Sequence, residues 1–389
     1  MKEHTCTLGI VTPPWYTEKI EYKLQNCLPE LLNKHLNGEQ EWDIKYSADP
    51  LIGLTEHSKE VMNALYEKKE EEGWDLAVCL TDLPLFRDKS LVVAEANEAK
   101  QVSLLSLPGM GAFPIIKRIR ESIIQLVKEM NGQNTQKEAG RWSLNASQNK
   151  WKNIWRKITF MTPIKKETVE MDDHNMGVRF TVDSRFRAGI RMVTGMVRAN
   201  RPWSLFPSFM KVLMVAFTTG IYALVFPTLW KLGGSYGVGR MLLISIMAIT
   251  SLVVWIIISH KLWERPNDNF STYLRRLYNC TTFLTLFTTI LIYYFVLYGG
   301  FLLAVFLLIP MDVLQAQLSG EGGLHHYFLI AWMATNVSTF IGALGSSLEK
   351  EEVVLSGTYG YRQRQRYELI KEDKEKQKEE EKSSAPSAN

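Results

Sequence analysis

Four stretches without a charged residue constrain this chain more than any other feature of its sequence. They cover residues 212–230, 241–259, 281–311 and 327–348, which is 19, 19, 31 and 22 residues. A helix needs about 20 apolar residues to cross the hydrocarbon core of a bilayer. The sequence therefore predicts an all-α transmembrane domain of four helices over residues 205–349, and it excludes a purely soluble protein.

The third stretch is longer than one span requires, but it is too short for two. Two spans and a turn would take about 37 residues. We expect one long, tilted helix, with Gly299 and Gly300 as the place where it can bend.

Basic residues in the loops predict the orientation of the spans. The loop 260–280 carries Lys261, Arg265, Arg275 and Arg276, whereas the loop 312–326 has no Lys or Arg. Loops rich in Lys and Arg stay on the cytoplasmic side. The five-residue apolar run near the N-terminus is too short for a signal peptide. We therefore expect a multi-pass protein of the cell (inner) membrane with both termini in the cytoplasm.

The fourth stretch carries small and polar residues that are predicted to pack helices together. Ser338, Gly342 and Ser346 recur every four residues, and Asn336 lies close by in the sequence. Small residues at this spacing let two helices approach closely. The partner helix can belong to the same bundle or to a second copy of the chain, so a homo-oligomer through this span stays open.

Residues 1–131 alternate between strand-like and helix-like segments. Residues 8–12, 75–81 and 102–107 are apolar runs typical of buried strands, whereas 18–36 and 115–130 have helical spacing. Such alternation favours an α/β fold, in which helices cover a mostly parallel sheet. The sequence therefore predicts a cytosolic α/β N-terminal domain ahead of the membrane domain.

Three loops of this domain, residues 12–15, 81–84 and 108–111, each follow a predicted strand. Loops that follow parallel strands gather at one edge of the sheet, where ligands of open α/β folds bind. The glycines allow close approach of a ligand, and the helix that follows favours an anion. The carboxylate of Asp82 would instead suit a ligand that carries a hydroxyl or an amine, or a bound cation. The predicted ligand-binding residues are Thr12, Asp82, Gly109 and Gly111. Simple turn formation by the Pro, Gly and Asp residues is the alternative.

A polar linker and a basic neck, residues 132–204, join the two domains. Residues 141–211 hold 14 Lys or Arg and only 5 Asp or Glu. Basic residues around a tryptophan face suit a helix that lies on the anionic inner leaflet, and docking on the head domain is the rival interpretation. The residues predicted to lie at the membrane interface are Trp151, Trp155, Arg198, Arg201 and Trp203. Since the neck adjoins the first span, we expect it to meet lipid and no nucleic acid.

The sequence contains no complete catalytic or metal-binding motif, so we expect no cofactor and no metal. The 4 cysteines have no CxxC spacing, and the 7 histidines are dispersed. Gly109 and Gly111 form only a GxG, without the rest of a dinucleotide-binding fingerprint. The charged cytosolic tail, residues 350–389, is predicted to be disordered after about residue 371.

Several strings together resemble one protein family. They are LTDLP (80–84), LPGMGAF (107–113), VRANRPW (197–203), HKLWER (260–265) and GALGSSLE (342–349). The chain resembles a family of uncharacterised bacterial four-span membrane proteins with a cytosolic N-terminal α/β domain. Members of that family are often labelled 5,10-methylene-tetrahydrofolate dehydrogenase. The resemblance implies the architecture of the chain and supplies no activity.

These observations favour a non-enzymatic protein. We expect the head to act as a sensor, regulator or scaffold that binds a small ligand or a protein partner, with the spans as its anchor. A membrane-bound enzyme that uses the 81–84 and 108–111 loops is one alternative. A small transporter or channel is the other, although no span contains the ionisable groups that ion pathways usually need.

Overall fold

The structure is a computed structural model. It describes residues 5–13, 17–25, 27–36, 41–49, 58–87, 90–112, 115–132, 164–170, 176–182, 185–264, 272–318 and 322–345. They fall into two compact units, one within Met1–Ala199 and the other within Asn200–Arg362. The predictions for Trp151, Trp155, Ser346 and the charged tail lie outside the described residues.

The first unit is built on one mixed sheet. Its described strands are β1 (Thr5–Thr12), β2 (Glu41–Ala48), β3 (Leu76–Thr81), β4 (Leu85–Arg87), β5 (Ser90–Asn97), β6 (Val102–Ser106), β7 (Ile164–Glu170) and β8 (Met176–Val182). Their order is β2-β1-β3-β6-β5-β8-β7, and β4 pairs with β5. Pairs among β2, β1, β3 and β6 are parallel, whereas every pair that involves β4, β5, β7 or β8 is antiparallel.

The prediction of a mostly parallel sheet is therefore not confirmed. Only the short turn 98–101 joins β5 to β6, and a connection of that length allows antiparallel pairing alone. The strands β7 and β8 extend the antiparallel half, and they come from residues that the sequence analysis assigned to the neck. Charged residues fill most of β7, so it lacks the apolar signature of a strand.

Four described helices of the first unit pack on its sheet, namely α1 (Thr17–Leu24), α2 (Leu28–His35), α3 (Ser58–Glu72) and α4 (Ile115–Met130). A further helix, α5 (Arg185–Asn200), packs on the turn at residues 108–111. Side chains alternate along a strand, so Ala77 and Cys79 of β3 point to one face. There they share an apolar cluster with Val61 and Leu65 of α3. The apolar run of β3 is buried at every position, as its sequence predicts.

Two ion pairs attach the β7–β8 hairpin to the rest of the first unit. Arg179 lies directly opposite Glu95 across the β5–β8 pair, and its Nη2 is 2.8 Å from Glu95 Oε1. Lys166 of β7 donates to Glu129 of α4, with a distance of 2.7 Å from Nζ to Oε2. These charges obscure the strand pattern in the sequence, yet they secure the strands in the fold.

The second unit is helical in its described residues. Its helices are α6 (Pro202–Leu205), α7 (Met210–Leu224), α8 (Pro227–Ser235), α9 (Val238–Ser259), α10 (Thr272–Leu308), α11 (Met311–Gln317) and α12 (Leu324–Gly345). Three described helical stretches are long and apolar enough to cross a membrane, namely Phe186–Leu224, Val238–Ser259 and Thr272–Leu308. The chain thus has the helices of a multi-pass membrane protein.

The largest difference from the predicted spans lies in the first of them. The first predicted span is broken, because α7 ends at Leu224 and α8 starts at Pro227. Proline lacks an N–H and disfavours a helical residue before it, so the helix stops there. Trp230 stabilises the break by donating from Nε1 to the Leu224 carbonyl at 2.9 Å. By contrast, α10 runs without interruption through Gly299 and Gly300.

The fourth predicted span corresponds to α12, which is not among the three membrane-length apolar helices. This helix packs against α7, α8, α9 and α10 and lies at the centre of the unit. Its polar residues Thr335, Asn336, Ser338 and Thr339 are fully buried. The prediction of four spans is therefore not confirmed.

Candidate functional site

The carboxyl edge of the parallel strands brings the predicted ligand-binding residues to one region of the first unit. Because β1, β3 and β6 are parallel neighbours, the residues after each strand lie at the same edge. Thr12 is fully buried, Asp82 is 1% exposed, and Gly109 and Gly111 are buried as well. Residues 14 and 15 of the first loop lie outside the described part. The predicted convergence of the loops is therefore present, but the chain itself covers it.

Hydroxyl groups join two of these loops. Ser106 donates from Oγ to the Leu83 carbonyl at 2.8 Å and accepts from the Gly109 N–H at 3.3 Å. Thr81 Oγ1 accepts from the Leu83 N–H at 3.2 Å. Ser106 thus ties the 81–84 loop to the 108–111 turn. Sequence reasoning missed it, although a polar residue at the end of a buried strand was a usable signal.

The 108–111 turn is a short 3₁₀ helix that ends at Gly111. Gly111 has a φ of +79°, a conformation that residues with a side chain rarely adopt. A Cβ there would lie 3.4 Å from Cγ of Arg191 and 3.5 Å from Nη1 of Arg118. The two arginines would make ordinary van der Waals contacts with a Cβ, so it is the backbone conformation that favours glycine at this position.

Two buried arginines hold the carbonyl groups of this turn. Arg118 of α4 donates from Nη1 to the Met110 carbonyl, and Arg191 of α5 donates from Nε to the Gly109 carbonyl at 2.7 Å. They are only 5% and 6% exposed. Burial lowers the pKa of Arg118, whereas the nearby Glu121 raises it. Two guanidinium groups thus concentrate positive charge beside the turn, a feature that the sequence analysis did not foresee.

The backbone of α5 packs directly on the same turn. A Cβ at Gly195 would lie 2.2 Å from the Pro108 carbonyl oxygen. Since that obstacle is backbone, α5 can lie this close only because residue 195 is glycine. The edge at which open α/β sheets bind ligands is therefore covered by α5 in this structure.

The buried strand β3 carries a cysteine, Cys79. Burial raises the pKa of the Cys79 thiol, and the charges of Asp49 and Asp82 raise it further. A thiolate nucleophile is therefore disfavoured at that position. Among the described residues, no group of three or more His, Cys, Asp or Glu side chains could hold a metal ion.

The described part of the predicted membrane interface lies where the two units join along the chain. Arg198 is partly buried near the end of α5, and Arg201 adopts a left-handed conformation with a φ of +50° directly before α6. Trp203 is 44% exposed. Their contact with lipid remains a prediction.

The small-residue stripe of α12 packs within the chain, against α7. A Cβ at Gly342 would lie 3.4 Å from Ala216 Cβ, and a Cβ at Gly220 would lie 2.1 Å from Ser338 Oγ. Because Ala216 meets Gly342 and Gly220 meets Ser338, the two helices run antiparallel. Of the two partners left open by the sequence, the structure places a helix of the same bundle against this face.

Asn336 belongs to a polar network that links three helices. Its Oδ1 accepts from the Tyr294 hydroxyl at 2.6 Å. The Tyr294 hydroxyl lies 3.0 Å from Ser245 Oγ, which also accepts from Trp332 Nε1 at 2.8 Å. These hydrogen bonds connect α9, α10 and α12 within the helical unit.

The fold and the site define a class, a multi-pass membrane protein with an N-terminal α/β unit whose strand-end loops lie beneath a basic helix. Comparison with known proteins finds no matching family model, no matching curated protein and no matching solved structure. The function therefore rests on the geometry of the two units.

Proposed function

We propose that the protein is a membrane-anchored regulator whose α/β unit binds a small ligand or a partner at the 108–111 turn. The observation that carries this proposal is the hydrogen bond from Arg191 of α5 to the Gly109 carbonyl. A ligand at the turn would either displace α5 or strengthen its hold. Along the chain, α5 leads directly into the apolar helices. A change in the position of α5 on ligand binding would therefore transmit the ligand-bound state of the α/β unit to those helices.

The charge beside the turn supports a particular class of ligand. The guanidinium groups of Arg118 and Arg191 favour a carboxylate or a phosphate, because hydrogen bonds between charged partners are the strong ones. The buried Asp82 at the same edge favours a ligand that also carries a hydroxyl or an amine. We therefore propose a small anionic metabolite with a second polar group as the ligand.

Arg191→Ala tests this proposal directly in the full-length protein purified from cells. A charge-assisted hydrogen bond is worth about 1.5–3 kcal/mol, so we expect at least about tenfold less co-purifying ligand by mass spectrometry. Amide hydrogen exchange in residues 107–112 should also become faster, because the turn loses its contact with α5.

Arg187→Ala is the matched control, because Arg187 lies on the same helix and is exposed. It should retain the ligand and leave the exchange of the turn unchanged. Equal retention of the small molecule by both variants, or none in the wild type, would contradict a ligand site at this turn.

We also propose that α12 crosses the membrane, which gives four spans with both termini in the cytoplasm of the inner membrane. A helix of 22 residues is about 33 Å long, enough to cross the hydrocarbon core. Its antiparallel packing against α7 agrees with an even number of crossings. The basic loop 260–280 supports the cytoplasmic side for the termini.

Cysteine labelling of intact cells tests this topology. With Cys280 replaced by serine, a membrane-impermeant maleimide should label Ser319→Cys from outside and should not label Asn267→Cys. Permeabilised cells, in which both positions should react, provide the control. Labelling of position 267 from outside, or no labelling of position 319, would contradict the proposed orientation.

A further inference from the structure

Two hydroxyl groups inside the helical unit have no hydrogen-bond partner in the described part of the chain. Buried hydroxyls on α12 otherwise donate to the carbonyl one turn earlier, as Thr335 and Thr339 do at 2.7 Å. The Oγ of Ser338 and the hydroxyl of Tyr293 on α10 make no such bond. Ser338 is fully buried and Tyr293 is 1% exposed.

Both hydroxyls lie against glycines where α7, α10 and α12 meet. Ser338 Oγ is 2.1 Å from the position of a Cβ on Gly220, and the Tyr293 hydroxyl is 2.8 Å from that of a Cβ on Gly342. Ser338 and Gly342 are one turn apart on the same face of α12. The two hydroxyls therefore lie at positions one helical turn apart on the face of α12 that packs against Ala216 and Gly220 of α7.

An unpartnered hydroxyl is costly at this depth. A buried polar group without a hydrogen bond destabilises a protein, and apolar surroundings offer no replacement. Buried water molecules in proteins typically bridge such groups, making about three hydrogen bonds each. Each hydroxyl can both donate and accept, so one water can serve both.

We propose that Tyr293 and Ser338 form a buried water-binding site between α7, α10 and α12. The residues beside the two hydroxyls are glycine, alanine and other uncharged side chains, so the site suits a small uncharged ligand that donates and accepts hydrogen bonds. Water is the smallest molecule of that class. The site is independent of the ligand proposed for the α/β unit.

The sign of a stability change separates a water site from two merely unpartnered groups. If water bridges them, Tyr293→Phe and Ser338→Ala each lower the melting midpoint of the full-length protein by about 2–4 °C. The double variant falls no further than the larger single effect, because either change already breaks the bridge. Thr339→Val is the control, since that hydroxyl bonds within its own helix, and its shift should be smaller.

Opposite results would overturn the proposal. Removing a hydroxyl that lacks any partner relieves a cost, so an unchanged or higher midpoint in either single variant contradicts a bound water. If the double variant instead loses the sum of the two single decreases in melting midpoint, the two hydroxyls do not share one water.

Water-edited solid-state NMR of the protein in lipid bilayers provides a second measurement on folded material. With ¹³C-labelled tyrosine, magnetisation should pass from water to the Tyr293 ring in the wild type and should be lost in Ser338→Ala. Tyr293→Phe assigns the signal. A wild-type Tyr293 ring that receives no magnetisation from water would overturn the proposal, whatever the melting midpoints show.

Discussion

Arg179→Ala is expected to lower the free energy of unfolding by about 3–5 kcal/mol. The side chains of Arg179 and Glu95 are 9% and 3% exposed, and they form an ion pair at 2.8 Å. Loss of the guanidinium would leave the Glu95 carboxylate buried without this cation. Such a charge costs more than the pair contributes, because burial removes its solvation. Pulse proteolysis of the full-length protein across a urea series measures the change.

Two comparisons make the result specific to the buried pair. Glu95→Leu combined with Arg179→Met should recover most of the lost stability, since an apolar pair of similar volume needs no counter-charge. Lys117→Ala breaks an exposed pair, 53% and 29% exposed with a distance of 3.7 Å to Glu121, and it should change stability by less than about 0.5 kcal/mol. A loss under about 1 kcal/mol in Arg179→Ala would show that the hairpin does not depend on this pair.

Gly195→Ala is expected to force α5 away from the 108–111 turn and to cost about 1–3 kcal/mol. The added Cβ would lie 2.2 Å from the Pro108 carbonyl oxygen and 2.9 Å from the Pro108 carbonyl carbon and Cα. Backbone atoms in a buried turn cannot move aside as a flexible side chain can. The melting midpoint should fall, and amide exchange in residues 107–112 should become faster.

Gly299→Ala provides the control for this substitution. Gly299 also lies inside a helix, but no described atom is within 4 Å of the position of its Cβ. Alanine is favoured over glycine in a helix interior, so this variant should be neutral or more stable by about 0.5–1 kcal/mol. If Gly195→Ala behaves like Gly299→Ala, α5 does not depend on close packing at the turn.

The helices of the membrane half were largely predictable, because the exclusion of charge is a local property of a segment. The apolar run 241–259 located α9 within three residues, and the run 281–311 located the C-terminal end of α10, which begins earlier, at Thr272. The end of α7 at Leu224 could also have been predicted, since Pro227 lies inside the predicted span. The central position of α12 could not be predicted, because burial by other helices does not change the length of an uncharged run.

In the α/β unit, the strands with continuous apolar runs were predictable and those with charges were not. The sequence of β3 is a continuous apolar run, which is typical of a strand buried on both faces, and every residue of β3 is buried in the structure. In β7 and β8, Lys166 and Arg179 look like surface residues until their partners Glu129 and Glu95 are placed beside them. Those partners are 37 and 84 residues away along the chain, beyond any local pattern.

The sequence by itself determined that apolar helices follow an α/β head, because hydrophobic periodicity and the exclusion of charge are local properties. The parallel pairing of β1, β3 and β6, which brings the ends of these strands to one edge, came from the structure. Only the tertiary structure decided what covers that edge. Arg118 and Arg191 meet at Gly111 from helices distant in sequence, and Gly195 allows α5 to pack on Pro108. These contacts depend on the distance between segments in space, which residue spacing along the chain does not encode.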